Sequence, residues 1–320
     1  MKAIDALKQS NGRLISVEIE PPMVGRSIKE VFDVLDPLVG CGIAYVDITY
    51  HPEQIIGDVK VNGDSFPVSM RKKPGTVGVA GAILGRYGSR GVVPVPHVIC
   101  TGFTKYSTEE YLIELGFLGV ENVMALRGDP PRGMESEQSF CPAPGGHAHA
   151  NELVMQIADL KRGIYVGAES GESIDFCVGA GCYPEGHSES RSLAEEMDWL
   201  NVKVDAGADY LTTQMFFDNQ AYYHFLNRCA RARINVPIVP GLKPLTSTNQ
   251  LRVVPEIFGC SIPDELARRV QKYRNKPDDV RRVGIEWCVE QCLDLRKNNA
   301  PSLHFYAARN APIIEIIRAL

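Results

Sequence analysis

An α/β fold, a (β/α)8 or TIM barrel formed by all 320 residues, is what this sequence predicts, and three observations carry the prediction. Eight apolar, strand-like runs alternate with segments of helical periodicity. Polar or ionisable residues stand at the end of every run. No Gly-x-Gly-x-x-Gly follows the first strand, so the usual fingerprint of an open dinucleotide-binding sheet is missing.

The runs are Leu14 to Glu18, Ile43 to Thr49, Val92 to Ile99, Asn122 to Leu126, Ile174 to Gly181, Tyr210 to Gln214, Pro237 to Val239 and Ser302 to Tyr306. The fourth shows the logic: it is too short for a typical helix and stops at Arg127-Gly128-Asp129, before Pro130-Pro131, which lacks backbone donors and continues neither helix nor ladder. Between the runs, apolar residues recur at helical spacing, as in Ile28, Val31, Phe32, Leu35 and Leu38, or Tyr111, Leu112 and Leu115. Eight such units need about 250 residues. With no Pro/Ser-rich linker or low-complexity break, the expected organisation is a single barrel over 1–320 with no regulatory domain after it.

In that frame the strand ends form one rim. It carries Glu18 with Glu20, Thr49, His97, Arg127 with Asp129, Tyr183 with Glu185 and His187, Gln214, Lys243, and Arg309 with Asn310. The C-terminal rim is where barrel enzymes build their active sites, so the pattern points to an enzyme.

Composition narrows the class. The chain is 44% hydrophobic and 23% charged with a formal net charge of −5, which offers no basic surface for nucleic acid or anionic membrane. Lys2, Asp5, Lys8 and Gln9 interrupt any leader-like apolar stretch after Met1, and no run approaches the roughly 20 apolar residues of a membrane span, so a cytoplasmic location is expected. Nine scattered cysteines without a Cys-x-x-Cys pair read as reduced thiols. Cys288 and Cys292, one helical turn apart, lack a second pair to complete a metal site and read as buried thiols. His147 and His149, in a Pro/Gly-rich stretch, read as solvated loop histidines; no metal is expected.

The rim segments match a known pattern. They are Val17-Glu18-Ile19-Glu20-Pro21-Pro22, Asp47-Ile48-Thr49-Tyr50, Pro96-His97, Ala125-Leu126-Arg127-Gly128-Asp129, Tyr183-Pro184-Glu185-Gly186-His187, Lys203-Val204-Asp205-Ala206-Gly207-Ala208-Asp209, Thr213-Gln214-Met215-Phe216-Phe217-Asp218, Pro240-Gly241 and His304-Phe305-Tyr306. In this order, over nearly the full length, the sequence resembles methylenetetrahydrofolate reductase in its bacterial single-domain form.

The resemblance implies a flavin enzyme: FAD takes a hydride from NADH or NADPH and passes it, in a ping-pong sequence, to 5,10-methylenetetrahydrofolate. The product, 5-methyltetrahydrofolate, supplies methyl groups for methionine synthesis, and a homo-oligomer is implied. Glu18 falls on the proton-donor position, where strand burial would raise its pKa, and Asp129 on a carboxylate near flavin and folate that would stabilise a cationic substrate carbon. Flavin contacts carry over onto Thr49, His97, Leu126, Arg127, Gly128, Asp129, Ala150, Tyr183, His187, Glu196 and Lys203; folate contacts onto Asp129, Gln214, Gln250 and Asn310.

The sequence departs from the pattern in four places. Asn310 stands where the family often has arginine, Trp199 and Glu196 alter the helix after the fifth strand, and His149 replaces an aromatic. The segment 51–89 is long and polar, readable as a lid, a subunit contact or a surface loop. Two rival readings remain: a flavin-independent or protein-donor-driven reductase on the same barrel, and a non-catalytic folate- or flavin-binding protein. The combination of Glu18, Asp129 and Gln214 speaks against the second, because a binder needs no proton donor.

Overall fold

Eight parallel strand positions close into the barrel that the alternation predicts. The structure, a computed structural model, describes residues 1–10, 12–129, 140–187, 189–309 and 311–320. Parallel pairing runs from β1 (Leu14–Ile19) to β2 (Tyr45–Ile48) and, past an inserted antiparallel hairpin of β3 (Gln54–Val61) and β4 (Asp64–Met70), on through β5 (Val93–Ile99), β6 (Asn122–Leu126), β7 (Cys177–Cys182) and β8 (Tyr210–Thr213).

The seventh position is split. β9 (Ile238–Val239) pairs with β8, while β10 (Gly241–Leu242) pairs with β11 (Ser302–Phe305), which returns to β1. Pro240 lies at the break because it has no N–H to give. Its carbonyl still accepts from His304 N–H at 3.1 Å, and Gly241 N–H donates to the Thr213 hydroxyl at 2.9 Å, so the ring is closed across the proline.

Helices α1 (Ala3–Gln9), α2 (Lys29–Gly40), α3 (Thr76–Tyr87), α4 (Lys105–Phe117), α5 (Ala150–Lys161), α6 (Leu193–Asp205), α7 (Asn219–Arg231), α8 (Gln250–Phe258), α9 (Asp264–Lys272), α10 (Pro277–Lys297) and α11 (Ile313–Arg318) complete the chain. The stripe read from the sequence of α2 is the one buried: Val31, Leu35 and Leu38 pack in the outer core between strands and helices. Burying each such side chain contributes about 1.5–3 kcal/mol.

Inside the barrel, Leu14, Tyr45, Val93, Val95, Met124, Tyr210 and Val239 fill the N-terminal half, and Ala3 and Leu7 of α1 close that end. With the bottom plugged by apolar side chains, the barrel interior opens at its C-terminal mouth. No described helix is long and apolar enough to cross a membrane.

Segment 51–89 is not a long loop. It holds the β3–β4 hairpin and α3, which supplies a layer of the outer core through Val79, Ala80 and Ile83. The hairpin turns at Asn62 and Gly63, both at positive φ (52° and 96°), the backbone that a two-residue Asn-Gly turn requires.

Candidate active site

Glu18 is the penultimate residue of β1, and its carboxyl enters the barrel at the mouth. Burial is the largest influence on it and pushes its pKa up to about 7; the backbone N–H of Ala307 and the Lys243 ammonium oppose that rise, and Glu20 adds to it. The desolvation expected from the strand position is therefore present. Ala307 adopts φ 55°, a left-handed backbone unusual for alanine, immediately after the segment that follows β11. This turn presents its N–H to the carboxyl, while the next N–H, of Ala308, donates to the Glu18 carbonyl at 2.9 Å. Backbone strain is here spent on holding one acid in place.

Glu20, two residues on, is exposed and differs in kind. Burial works to raise its pKa, but Lys73, donating at 2.7 Å, together with His51 and Arg309 outweighs it and leaves Glu20 below the ordinary glutamate value. The two carboxylates are thus set apart: one positioned to keep a proton near neutrality, the other held ionised.

Behind Glu18 lies a buried polar layer. Asp47 of β2 has no hydrogen bond to either carboxyl oxygen; His304 Nδ1 stands 3.4 Å from one and His97 Nε2 3.8 Å from the other. Burial, then the neighbouring Glu18, raises Asp47 well above the usual carboxylate range, and burial lowers His97 and His304 to about 3. Burial therefore disfavours charge on all three side chains of the layer. His304 is further fixed by the Ser16 hydroxyl at 2.9 Å.

A cleft of about 300 Å³ opens beside the mouth, over the ends of β6 and β7. Leu126, Arg127, Ala150, Tyr183, His187, Glu196 and Lys203, all expected flavin contacts, line it together. Lys203 donates to the Gly181 carbonyl at 2.7 Å, and burial lowers its pKa. Arg127 makes a two-pronged pair with Glu189, and Tyr183 packs edge-on against His187 with ring centres 4.6 Å apart. Just past Arg127, Gly128 has φ 84°, and a Cβ there would lie 2.7 Å from Thr101 Oγ1 and 3.0 Å from Ile99 Cβ, so only glycine fits this turn.

Thr49, His97, Gly128 and Asp129 lie outside the lining of that cleft. Thr49 hydrogen-bonds His51 at 3.0 Å; His97 belongs to the layer behind Glu18; Asp129 is exposed beyond the end of β6, where its charge is felt by the buried Tyr183 hydroxyl. Gln214 stands at the end of β8, its amide oxygen accepting the Met215 N–H at 2.9 Å. Gln250 opens α8, its oxygen accepting N–H groups of Thr246 (2.6 Å) and Ser247 (3.0 Å), which leaves the amide nitrogen for a ligand. Asn310 lies outside the described residues.

Some lining residues were not anticipated as contacts. Asn151, Ser190 and Arg191 line the cleft, and so do Trp199 and His149, whose rings stack 5.5 Å apart at 23°. Their departure from the family pattern is itself the signal, since the two changes form one aromatic wall. His147, read as solvated, is instead buried and hydrogen-bonded to Gln156, because α5 folds its side chain under the loop. No metal-holding cluster occurs among the described residues, and all nine cysteines are free, Cys288 and Cys292 buried.

An acid raised toward neutrality at the C-terminal mouth, beside a cleft walled by aromatic rings and cations, sets the chain among (β/α)8 barrels that gather their ionisable groups at that rim. The chain belongs to the methylenetetrahydrofolate reductase family, whose model matches residues 3–320. It is 26% identical over 319 residues to a probable methylenetetrahydrofolate reductase (NADPH) of Caenorhabditis elegans, covering 99% of this chain and 43% of that protein. It is 28% identical over 318 residues to methylenetetrahydrofolate reductase (NADH) 1 of Arabidopsis thaliana, covering 96% and 48%. To the 5,10-methylenetetrahydrofolate reductase of Pectobacterium carotovorum subsp. carotovorum it is 26% identical over 225 residues, covering 70% and 67%. The chain spans less than half the length of the nematode and plant relatives.

The fold is shared with a solved Clostridium thermocellum protein described as binding two copies of 5-methyl-5,6,7,8-tetrahydrofolic acid, at TM-score 0.55 and 14% identity over 98% of this chain and 96% of that one.

Proposed function

We propose that this barrel reduces 5,10-methylenetetrahydrofolate to 5-methyltetrahydrofolate with FAD as cofactor and NADH or NADPH as hydride source. The observation that carries the reading is Glu18, a carboxyl whose pKa of about 7 lets it hold a proton at the mouth and give it up at neutral pH. Opening the five-membered ring of the substrate requires an acid at the leaving nitrogen, and a general acid works best when its pKa lies near the operating pH.

The residues present fit a flavin dinucleotide. Gly181, where a Cβ would sit 3.3 Å from Leu126 Cδ2, keeps the strand that lines the cleft free of a side chain. Arg127, Arg191 and Lys203 supply positive charge for a pyrophosphate, and the His149–Trp199 wall supplies an apolar face for an aromatic ring. When bound, FAD would supply the hydride.

The chain's own groups do the rest. Glu18 donates its proton to the nitrogen that leaves the methylene bridge. Asp129 places a fixed negative charge beside the cationic carbon formed as the ring opens. Gln214 and the free amide nitrogen of Gln250 orient the pterin edge, since an amide offers donor and acceptor together. Either nicotinamide is carried as donor, because relatives are named for both.

The test is optical. Purified protein should show oxidised-flavin absorbance that anaerobic NADH or NADPH bleaches and 5,10-methylenetetrahydrofolate restores. Protein that is colourless and takes up no added FAD, yet reduces the folate with a nicotinamide, would replace this reading with direct hydride delivery on the same barrel.

A further inference from the structure

We propose that Lys243 is the docking cation for the carboxylate tail of the folate substrate, a specificity-determining contact that also links substrate binding to protonation of the catalytic acid. This rests on the reading of Glu18 as proton donor and deepens it.

Four cations around the mouth are engaged within the protein, and Arg191 belongs to the flavin cleft. Arg127 is gripped by Glu189, Lys203 by the Gly181 carbonyl, Lys73 by Glu20 and Arg309 by Glu30. Lys243, directly after β10, has no hydrogen-bond or ion-pair partner among the described residues; its ammonium lies 5.6 Å from the ring centre of Phe258, at the end of α8. Its backbone is not free to wander. The following Leu245 carbonyl is pressed onto α10 at Gly284, where a Cβ would fall 1.6 Å from the oxygen. A positioned ammonium over an aromatic ring matches the outer half of a folate, an aromatic amide ending in carboxylates.

The same charge acts on the acid, because the register puts the two at one level of the rim: Leu242 pairs with Phe305 and Phe305 with Val17, and Lys243 and Glu18 are the residues that follow. Groups facing Glu18 are the Ala307 N–H, Lys243, Glu20 (itself held by Lys73), and the buried Asp47 and Tyr306. Of these, Lys243 and the Ala307 N–H favour the ionised form. A substrate carboxylate paired with Lys243 cancels the ammonium's field at Glu18, and the acid then binds its proton more tightly. Substrate arrival therefore draws a proton from solvent onto Glu18, and by reciprocity protonated Glu18 favours the tailed substrate.

Proton uptake on binding tests this without turnover. Protein whose flavin has been photoreduced anaerobically, so that it cannot take a hydride back from the folate, is mixed in weak buffer at about pH 7 with a pH-indicator dye and either 5-methyltetrahydrofolate or tailless 6-methyltetrahydropterin, alongside calorimetric titrations. Wild-type protein should take up protons with the folate and not with the pterin. Lys243→Met should bind the folate about tenfold more weakly, leave pterin binding unaltered and abolish the uptake, and Lys243→Arg should restore both. Equal folate affinity and uptake in Lys243→Met would overturn the proposal, as would equal weakening toward folate and pterin. If wild-type protein binds neither compound, the folate reading itself fails.

Discussion

Glu18 and Asp47 are register partners across the β1–β2 ladder, and both carboxyls enter the barrel interior. Two neighbouring anions in so dry a site are mutually destabilising, and burial, together with the charge of Glu18, drives Asp47, which has no hydrogen bond to either oxygen, toward its neutral form. Asp47→Asn, a neutral replacement of the same shape, should leave the pH midpoint of the acid-dependent step within about half a unit of wild type. It should also remove a protonated-carboxyl band from the infrared spectrum at neutral pH. A midpoint lowered by about a unit or more would show that Asp47 is an anion in the working protein.

Glu18 is costly to stability. Its folded-state pKa, about 7, lies above the unfolded value near 4.5, so its contribution is fully present below pH 4.5 and is lost as pH rises through 7. Glu18→Gln escapes that loss. The variant should match wild type near pH 4.5 and be about 1–3 kcal/mol more stable at pH 8, measured by chemical denaturation at both pH values. A gap that does not widen with pH would contradict the buried, protonated acid.

Gly128→Ala combines a positive φ with a Cβ pushed to 2.7 Å from Thr101 Oγ1. We expect a loss of about 1–3 kcal/mol in stability and a lower flavin content, read from the melting temperature and the flavin-to-protein absorbance ratio. Full flavin content with unchanged melting would show that the backbone relaxes without consequence.

Trp199→Ala removes one ring of the wall that stacks on His149. Loss of an aromatic face should weaken flavin binding about tenfold, measured by fluorescence titration of the flavin-stripped protein. Unaltered affinity would place the cofactor elsewhere in the cleft.

The barrel was legible because burial on both faces leaves parallel strands as short apolar runs, and the fourth, Asn122–Leu126, has the predicted bounds. The seventh was only half legible: Pro240 interrupts the run, and nothing local reveals that His304 and Thr213 bridge the gap. The hairpin was missed although Asn62-Gly63 marks its turn, since the apolar Val59, Val61, Phe66 and Val68 flanking it are diluted by charged neighbours. Of the site, residue types at strand ends could be read; their environments could not. His147 reads as a loop histidine, and only the fold brings Gln156 of α5 against it; that Lys243 has no hydrogen-bond or ion-pair partner among the described residues is likewise visible only in three dimensions.

The most direct measurement of the central claim is the rate at which 5,10-methylenetetrahydrofolate reoxidises pre-reduced protein, followed in a stopped-flow instrument from pH 6 to 9. Wild-type rates should fall above a midpoint near 7, where Glu18 loses its proton. Glu18→Gln should bleach normally with the nicotinamide but recolour about 10²–10⁴-fold more slowly, without that midpoint. Reoxidation of Glu18→Gln at the wild-type rate, with the same pH profile, would contradict the assignment of Glu18 as the proton donor.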